Sequence, residues 1–117
     1  MRVCIFYDEY YAFDEFLNQY PCEWELQILR RPVRDRIKEL ADSGRYDVFF
    51  NLCDGPLEGF SPGIDVVQTL EEFNLAFTGA DSHCYDPTRE EMQAVAASHA
   101  IVFAKGLRVH AGEDVLE

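Results

Sequence analysis

Two short runs govern what this chain can fold into. Val3-Cys4-Ile5-Phe6-Tyr7 and Val48-Phe49-Phe50-Asn51-Leu52 are apolar at almost every position, so each must be covered on both faces. Strands of that kind belong inside a parallel sheet, where neighbours are joined by crossovers long enough to hold a helix. Helical patterns are present at the right places. Pro32 suits a first helical turn, and Val33, Ile37, Leu40 and Ala41 form one stripe before Gly44 stops the segment near Ser43. Ser61 as N-cap and Pro62 at the first position predict a second helix to about Phe73, burying Val66, Val67, Leu70 and Phe73. Thr88-Arg89-Glu90-Glu91 has the form of a capping box, opening a third helix with Met92, Val95 and Ala96 facing inward.

The remaining segments complete a small sheet. Glu23 to Leu29 alternates, with Trp24, Leu26 and Ile28 on one side, which predicts a half-exposed strand near a sheet edge. Leu75-Ala76-Phe77-Thr78 predicts a fourth short strand ending at Gly79. Asp8 to Tyr20 is expected to be a loop with a short helix, since Pro21 ends whatever forms there. The expectation is an α/β domain with a parallel sheet of at least four strands, in which Val3 to Tyr7 and Val48 to Leu52 are adjacent at the centre.

Charge narrows the function. Ten Lys and Arg against 22 Asp and Glu leave a net charge of −12 over 117 residues, so polyanions are repelled and neither nucleic acid nor an anionic membrane is an expected partner. Hydrophobic residues make up 48% of the chain, enough to bury a core without disulfides or a structural metal. Cys4, Cys22, Cys53 and Cys84 are too widely spaced for a zinc or redox motif, and His83, His99 and His110 share no ligand spacing. Free thiols, with neither an export signal nor an apolar span, predict a cytoplasmic location.

Parallel α/β sheets bind ligands beyond the carboxyl ends of their strands. Asp8 and Glu9 follow the first strand, where two carboxylates could hold Mg²⁺ or a substrate ammonium. Asn51, Asp54, Gly55 and Glu58 follow the central strand in a long loop rich in Gly and Pro. No dinucleotide or P-loop glycine motif is present.

Two known families resemble this pattern. In the first, Asp8 and Glu9, the strand Asp47 to Asn51, Thr78 and Lys105 resemble the four parts of a response-regulator receiver, but Asn51 stands at the acceptor position and an amide forms no acyl phosphate. The second resemblance is more specific and covers roughly residues 1–105. Asp47-Val48-Phe49-Phe50-Asn51-Leu52-Cys53-Asp54-Gly55, Thr69-Leu70-Glu71-Glu72-Phe73-Asn74-Leu75-Ala76-Phe77-Thr78-Gly79-Ala80-Asp81 and Tyr85-Asp86-Pro87-Thr88-Arg89-Glu90-Glu91-Met92 are similar, in order, to three motifs of the D-alanine:D-alanine ligase family of ATP-grasp carboxylate–amine ligases.

That resemblance implies a small three-layer, Rossmann-like pre-ATP-grasp domain over residues 1–105, with 106–117 beginning an ATP-grasp domain that is missing here. The chain would be a fragment or a shortened relative, inactive in isolation. Glu9, Asn51, Asp54 and Gly55 fall near the family's pocket for a small amino acid or peptide. Arg89 falls where the family carries a lysine reaching toward ATP phosphates, though a guanidinium differs in reach and fork geometry. ATP and Mg²⁺ are implied for the intact protein and no cofactor for this chain alone. Without the ATP-grasp domain the apolar residues from Ile101 to Val109, Phe103 among them, are expected to be exposed. The tail then either folds back on the sheet or mediates self-association, and the family's habit of pairing through its N-terminal region favours a homodimer.

Overall fold

The computed structural model describes residues 1–8, 19, 21–55, 59–102, 104–105 and 112. The chain divides into two compact units, Met1–Tyr85 and Asp86–Glu117. The first holds strands β1 (Arg2–Tyr7), β2 (Glu23–Ile28) and β3 (Val48–Asn51) with helices α1 (Arg34–Asp42) and α2 (Ile64–Glu72), and the second holds α3 (Arg89–Ser98).

The sheet is parallel with the order β2-β1-β3. Cys4 pairs with Glu25 on one side and Phe49 on the other, so β1 has neighbours along both edges and is buried from Val3 to Tyr7. The two apolar runs are adjacent, as expected, but only β1 is central: β3 is the last strand of the sheet, so the expected central place of Val48 to Leu52 is not found. Nor does the sheet have four strands among the described residues: the expected fourth contributes one parallel bridge, Phe77 beside Phe49. Phe49 N–H donates to Ala76 O (2.9 Å) and Thr78 N–H to Phe49 O (3.1 Å). The ladder ends there because the next amide of β3, that of Asn51, donates to the Thr78 hydroxyl instead (3.1 Å), and Gly79 at φ 97° turns the chain away.

The pleat sorts the sheet into two faces. Cys4, Phe6 and Phe49 lie on the face where Val33, Ile37 and Leu40, on and just before α1, join Val66 and Leu70 of α2. Val3 and Ile5 face the other way, against Cys22, Trp24, Val48, Phe50 and Leu52. At the amino end, the Asp47 carboxylate accepts from Arg2 N–H (2.7 Å) and its guanidinium (3.1 Å), tying β1 to the start of β3. The hydrogen bond from Arg2 holds the Asp47 carboxyl below its ordinary pKa.

Two further sequence expectations need correction. Helix α2 starts at Ile64 with Gly63 as its N-cap and no side-chain cap, not at Ser61-Pro62. Residues 61–63 instead close a loop, with Pro62 O accepting from Gly55 N–H (3.0 Å). Helix α3 has the expected box, Glu91 N–H donating to Thr88 Oγ1 and Thr88 N–H to Glu91 Oε2 (3.1 and 3.0 Å), but only Ala96 is buried. Met92 and Val95 are 41% and 61% exposed, because ten residues of helix in a small unit bury a narrow stripe and Ala96 occupies it. Of the tail, Ile101 and Val102 are exposed, while Phe103 and residues 106–109 lie outside the described residues. So does the short helix expected between β1 and β2. Among the described residues no helix is long and apolar enough to cross a membrane.

All four cysteines are free, Cys4 and Cys53 buried and Cys84 exposed. Burial pushes the Cys4 and Cys53 thiols up to about 12, with nearby carboxylates adding to it. At pH 8 each then holds on the order of 1,000-fold less thiolate than an ordinary cysteine. Native protein treated with Ellman's reagent should lose Cys84 quickly and keep Cys4 and Cys53 until denaturant is added. Rapid native labelling of Cys53 would contradict its place beneath α2.

Candidate functional site

Because all three strands run the same way, their carboxyl ends meet at one edge, and the segments that leave them supply the side chains there. Strand β1 delivers Asp8, whose side chain is fully buried. Leu29, Arg30 and Arg31 follow β2, and Asn51 to Gly55 follow β3. A cleft of about 300 Å³ opens at this edge, lined by Asp8, Leu29, Arg30, Arg31, Gly59, Phe60 and Pro62.

Its walls are fixed by polar contacts. Arg31 Nε donates to Asp65 Oδ2 (2.9 Å) and its NH2 group to Asp65 Oδ1 (3.4 Å), while NH1 donates to the Gly59 carbonyl. Asp65 Oδ1 also accepts from Gly63 N–H (2.8 Å). One guanidinium therefore joins the end of β2, the first turn of α2 and the loop at Gly59. A partly buried, two-pronged pair of this kind is worth more in orientation than in stability.

The loop itself is closed at Gly55 and Gly63. Gly55 N–H donates to Pro62 O, and Gly55 O accepts from the Tyr85 hydroxyl (2.9 Å). A Cβ on Gly63 would overlap the Gly55 carbonyl oxygen and meet the Tyr85 hydroxyl at 2.5 Å, and one on Gly55 would overlap Ser61 O. Both glycines are there because backbone passes against backbone.

Of the described candidate residues Asp8 lines the cleft, whereas Asn51, Asp54 and Gly55 do not. Asn51 is half-buried at the end of β3, where its Oδ1 accepts from Cys53 N–H (3.0 Å) and its amide is held by Thr78. Asp54 is exposed beside it, and Gly55 forms the base of the loop. Glu9 and Glu58 lie outside the described residues. Arg89 belongs to the second unit, as the exposed first residue of α3.

The cleft-lining Arg30, Arg31, Gly59 and Phe60, and Asp65 behind them, are not among the residues singled out from sequence. The signal for the arginines is Arg30-Arg31 directly after the second strand, two cations in a strongly acidic chain. Among the described residues no group of three His, Cys, Asp or Glu side chains could hold a metal ion.

No family model, curated protein or solved structure matches the chain. The chemistry of the cleft therefore has to be read from its own residues. Its lining combines the buried carboxylate of Asp8 with Arg30 and Arg31 around a space of about 300 Å³. That is the size of a small-molecule site, and its charges suit a small zwitterion better than a nucleotide, whose phosphates need several cations.

Proposed function

We propose that this chain is the N-terminal, substrate-side domain of an ATP-dependent carboxylate–amine ligase resembling D-alanine:D-alanine ligase, acting in the cytoplasm on a small amino acid or peptide. The observation that carries the reading is the cleft at the carboxyl edge. Asp8 suits a substrate ammonium and Arg30 a substrate carboxylate, and both leave strands of an open parallel sheet compatible with a Rossmann-like domain. The three ordered sequence motifs support the same family.

In this reading an ATP-grasp domain is the partner that brings ATP and Mg²⁺. Bound there, ATP would phosphorylate a carboxylate that an amine then attacks. The described residues contribute substrate binding and orientation, and Arg89 is the one candidate toward phosphate. No catalytic residue is assigned to this chain.

The test combines binding and turnover. Amides of Leu29 to Arg31 and Gly59 should shift on titration with D-alanine or D-alanyl-D-alanine, and Arg30→Ala should weaken that binding about tenfold or more, as expected when a charge-assisted hydrogen bond is lost. With ATP, Mg²⁺ and D-amino acids, phosphate release should stay at the buffer blank. Shifts confined to other regions, or turnover that survives rigorous purification, would count against the reading.

The strand order β2-β1-β3 suits a receiver-like interaction module equally well. Acetyl phosphate separates the two. Asn51 should leave the chain unmodified, and a labile phosphoryl adduct on Asp54 or Asp8 would favour the signalling class.

A further inference from the structure

We infer that the outer edge of β2 is a self-association site, where a second copy of the chain continues the sheet antiparallel about a two-fold axis at Leu26. The ligase resemblance implies pairing through the tail; the contact inferred here is a different one and stands on the geometry of β2 alone.

Hydrogen bonds show which groups the edge presents. Glu23 N–H donates to Met1 O (3.1 Å) and Leu29 N–H to Tyr7 O (2.9 Å), and the parallel register is unbroken between them. Odd-numbered residues of β2 therefore exchange their bonds with β1. The N–H and C=O of Leu26 and Ile28 point to the outer edge, where no strand pairs with β2 among the described residues. Sheet edges are usually blunted by Pro, Lys or a bulge. Glu23-Trp24-Glu25-Leu26-Gln27-Ile28 contains neither residue, and its pairing with β1 has no bulge. Leu26 and Ile28 are 37% and 45% exposed.

The strand is its own complement in one register. With Leu26 opposite Leu26 of the second copy, the outward N–H and C=O of that residue exchange two bonds across the axis. Trp24 then stands opposite Ile28 of the second copy, so an apolar row runs along one face through the junction. On the other face Glu25 falls opposite Gln27, not opposite a like charge. Sliding the pairing by two residues in one direction sets Glu25 against itself at the close, non-hydrogen-bonded spacing, which repulsion disfavours. Sliding it in the other direction carries Trp24 beyond the end of the partner strand. Glu25 is already held by Arg45 (3.2 Å) and Tyr46, and Gln27 by Arg36 (2.9 Å), which removes part of the charge that would otherwise oppose contact. With −12 on each copy, association should tighten as salt rises.

Sedimentation of the full chain at tens of micromolar should give twice the 13.5 kDa chain mass. Leu26→Pro removes an outward N–H and none of the bonds to β1, so it should weaken dimerisation by roughly 30-fold with an unchanged far-ultraviolet spectrum. In a Cys84→Ser background, Leu26→Cys should oxidise to a covalent dimer, since a residue facing itself in a hydrogen-bonded pair has Cα atoms about 5.5 Å apart, within disulfide range. Ile28→Cys should not, its two copies lying four residues apart along the strand. A chain that stays monomeric, a dimer that survives Leu26→Pro with its fold intact, or equal cross-linking at positions 26 and 28 would overturn the proposal. If Leu26→Pro fails to fold, the cysteine pair alone decides.

Discussion

Gly63→Ala is expected to lower the melting temperature by roughly 8–20 °C, although it adds a single methyl group. The cost is steric, because backbone atoms already occupy the place of a side chain at Gly63. A Cβ there would overlap the Gly55 carbonyl oxygen, and the space can open only if backbone moves. Moving it strains the Gly55–Pro62 hydrogen bond and the one from the Tyr85 hydroxyl. Overpacking of about 1–3 kcal/mol with one or two hydrogen bonds at about 1 kcal/mol each gives roughly 2–5 kcal/mol. Against a total of about 5–15 kcal/mol, that is a large share, and about 4 °C per kcal/mol converts it. Gly44→Ala is the control. Gly44 sits at φ 67° with nothing within 4 Å of an added methyl group, so only the left-handed backbone is penalised, at about 1–2 kcal/mol. Thermal denaturation of both variants checks the ranking. A Gly63→Ala loss no greater than that of Gly44→Ala would mean that the loop base is looser than described. The same substitution should also disturb the cleft, since Gly59, Phe60 and Pro62 are carried on the loop that Gly63 closes.

Legibility from sequence follows the range of the interactions involved. Strands β1 and β2 and the buried stripe Val33, Ile37 and Leu40 are set by local hydrophobic periodicity, and each falls within a residue or two of the expected place. The capping box at Thr88 is local as well, and its two hydrogen bonds form as its spelling suggests. The start of α2 is different. Ser61-Pro62 carries every local sign of a helix opening, but Pro62 O is taken by Gly55, seven residues back, and that contact is invisible to a pattern. The fourth strand is lost in a comparable way, to a side-chain hydroxyl competing for the Asn51 amide. At the candidate site, the carboxyl edge is legible from strand order, and Asp8, Asn51, Asp54 and Gly55 do lie along it. The arginines escape notice because Arg31 matters through Asp65 and Gly59, which are 34 and 28 residues away.

Phe6→Ala should be comparably damaging, and its value lies in the contrast across the sheet. Phe6 has no exposed surface, and its ring packs at 5.1 Å between centroids against Phe49 on the neighbouring strand. It shares the core with Val33, Ile37 and Leu40 near α1 and with Val66 and Leu70 of α2, so a cavity there would be walled by two helices and could collapse little. Phe→Ala at such a site costs about 3–5 kcal/mol, or roughly 12–20 °C here. Leu26→Ala on the edge strand removes a side chain that is already more than a third exposed, and should cost under about 1.5 kcal/mol when measured at submicromolar concentration, where β2 pairing between copies does not contribute. The difference follows from β1 being the strand with neighbours on both sides. Chemical denaturation of the two variants reads it directly, and a Leu26→Ala cost equal to that of Phe6→Ala would be incompatible with the order β2-β1-β3, because no edge residue half open to water can release as much apolar surface as a ring enclosed between sheet and helices.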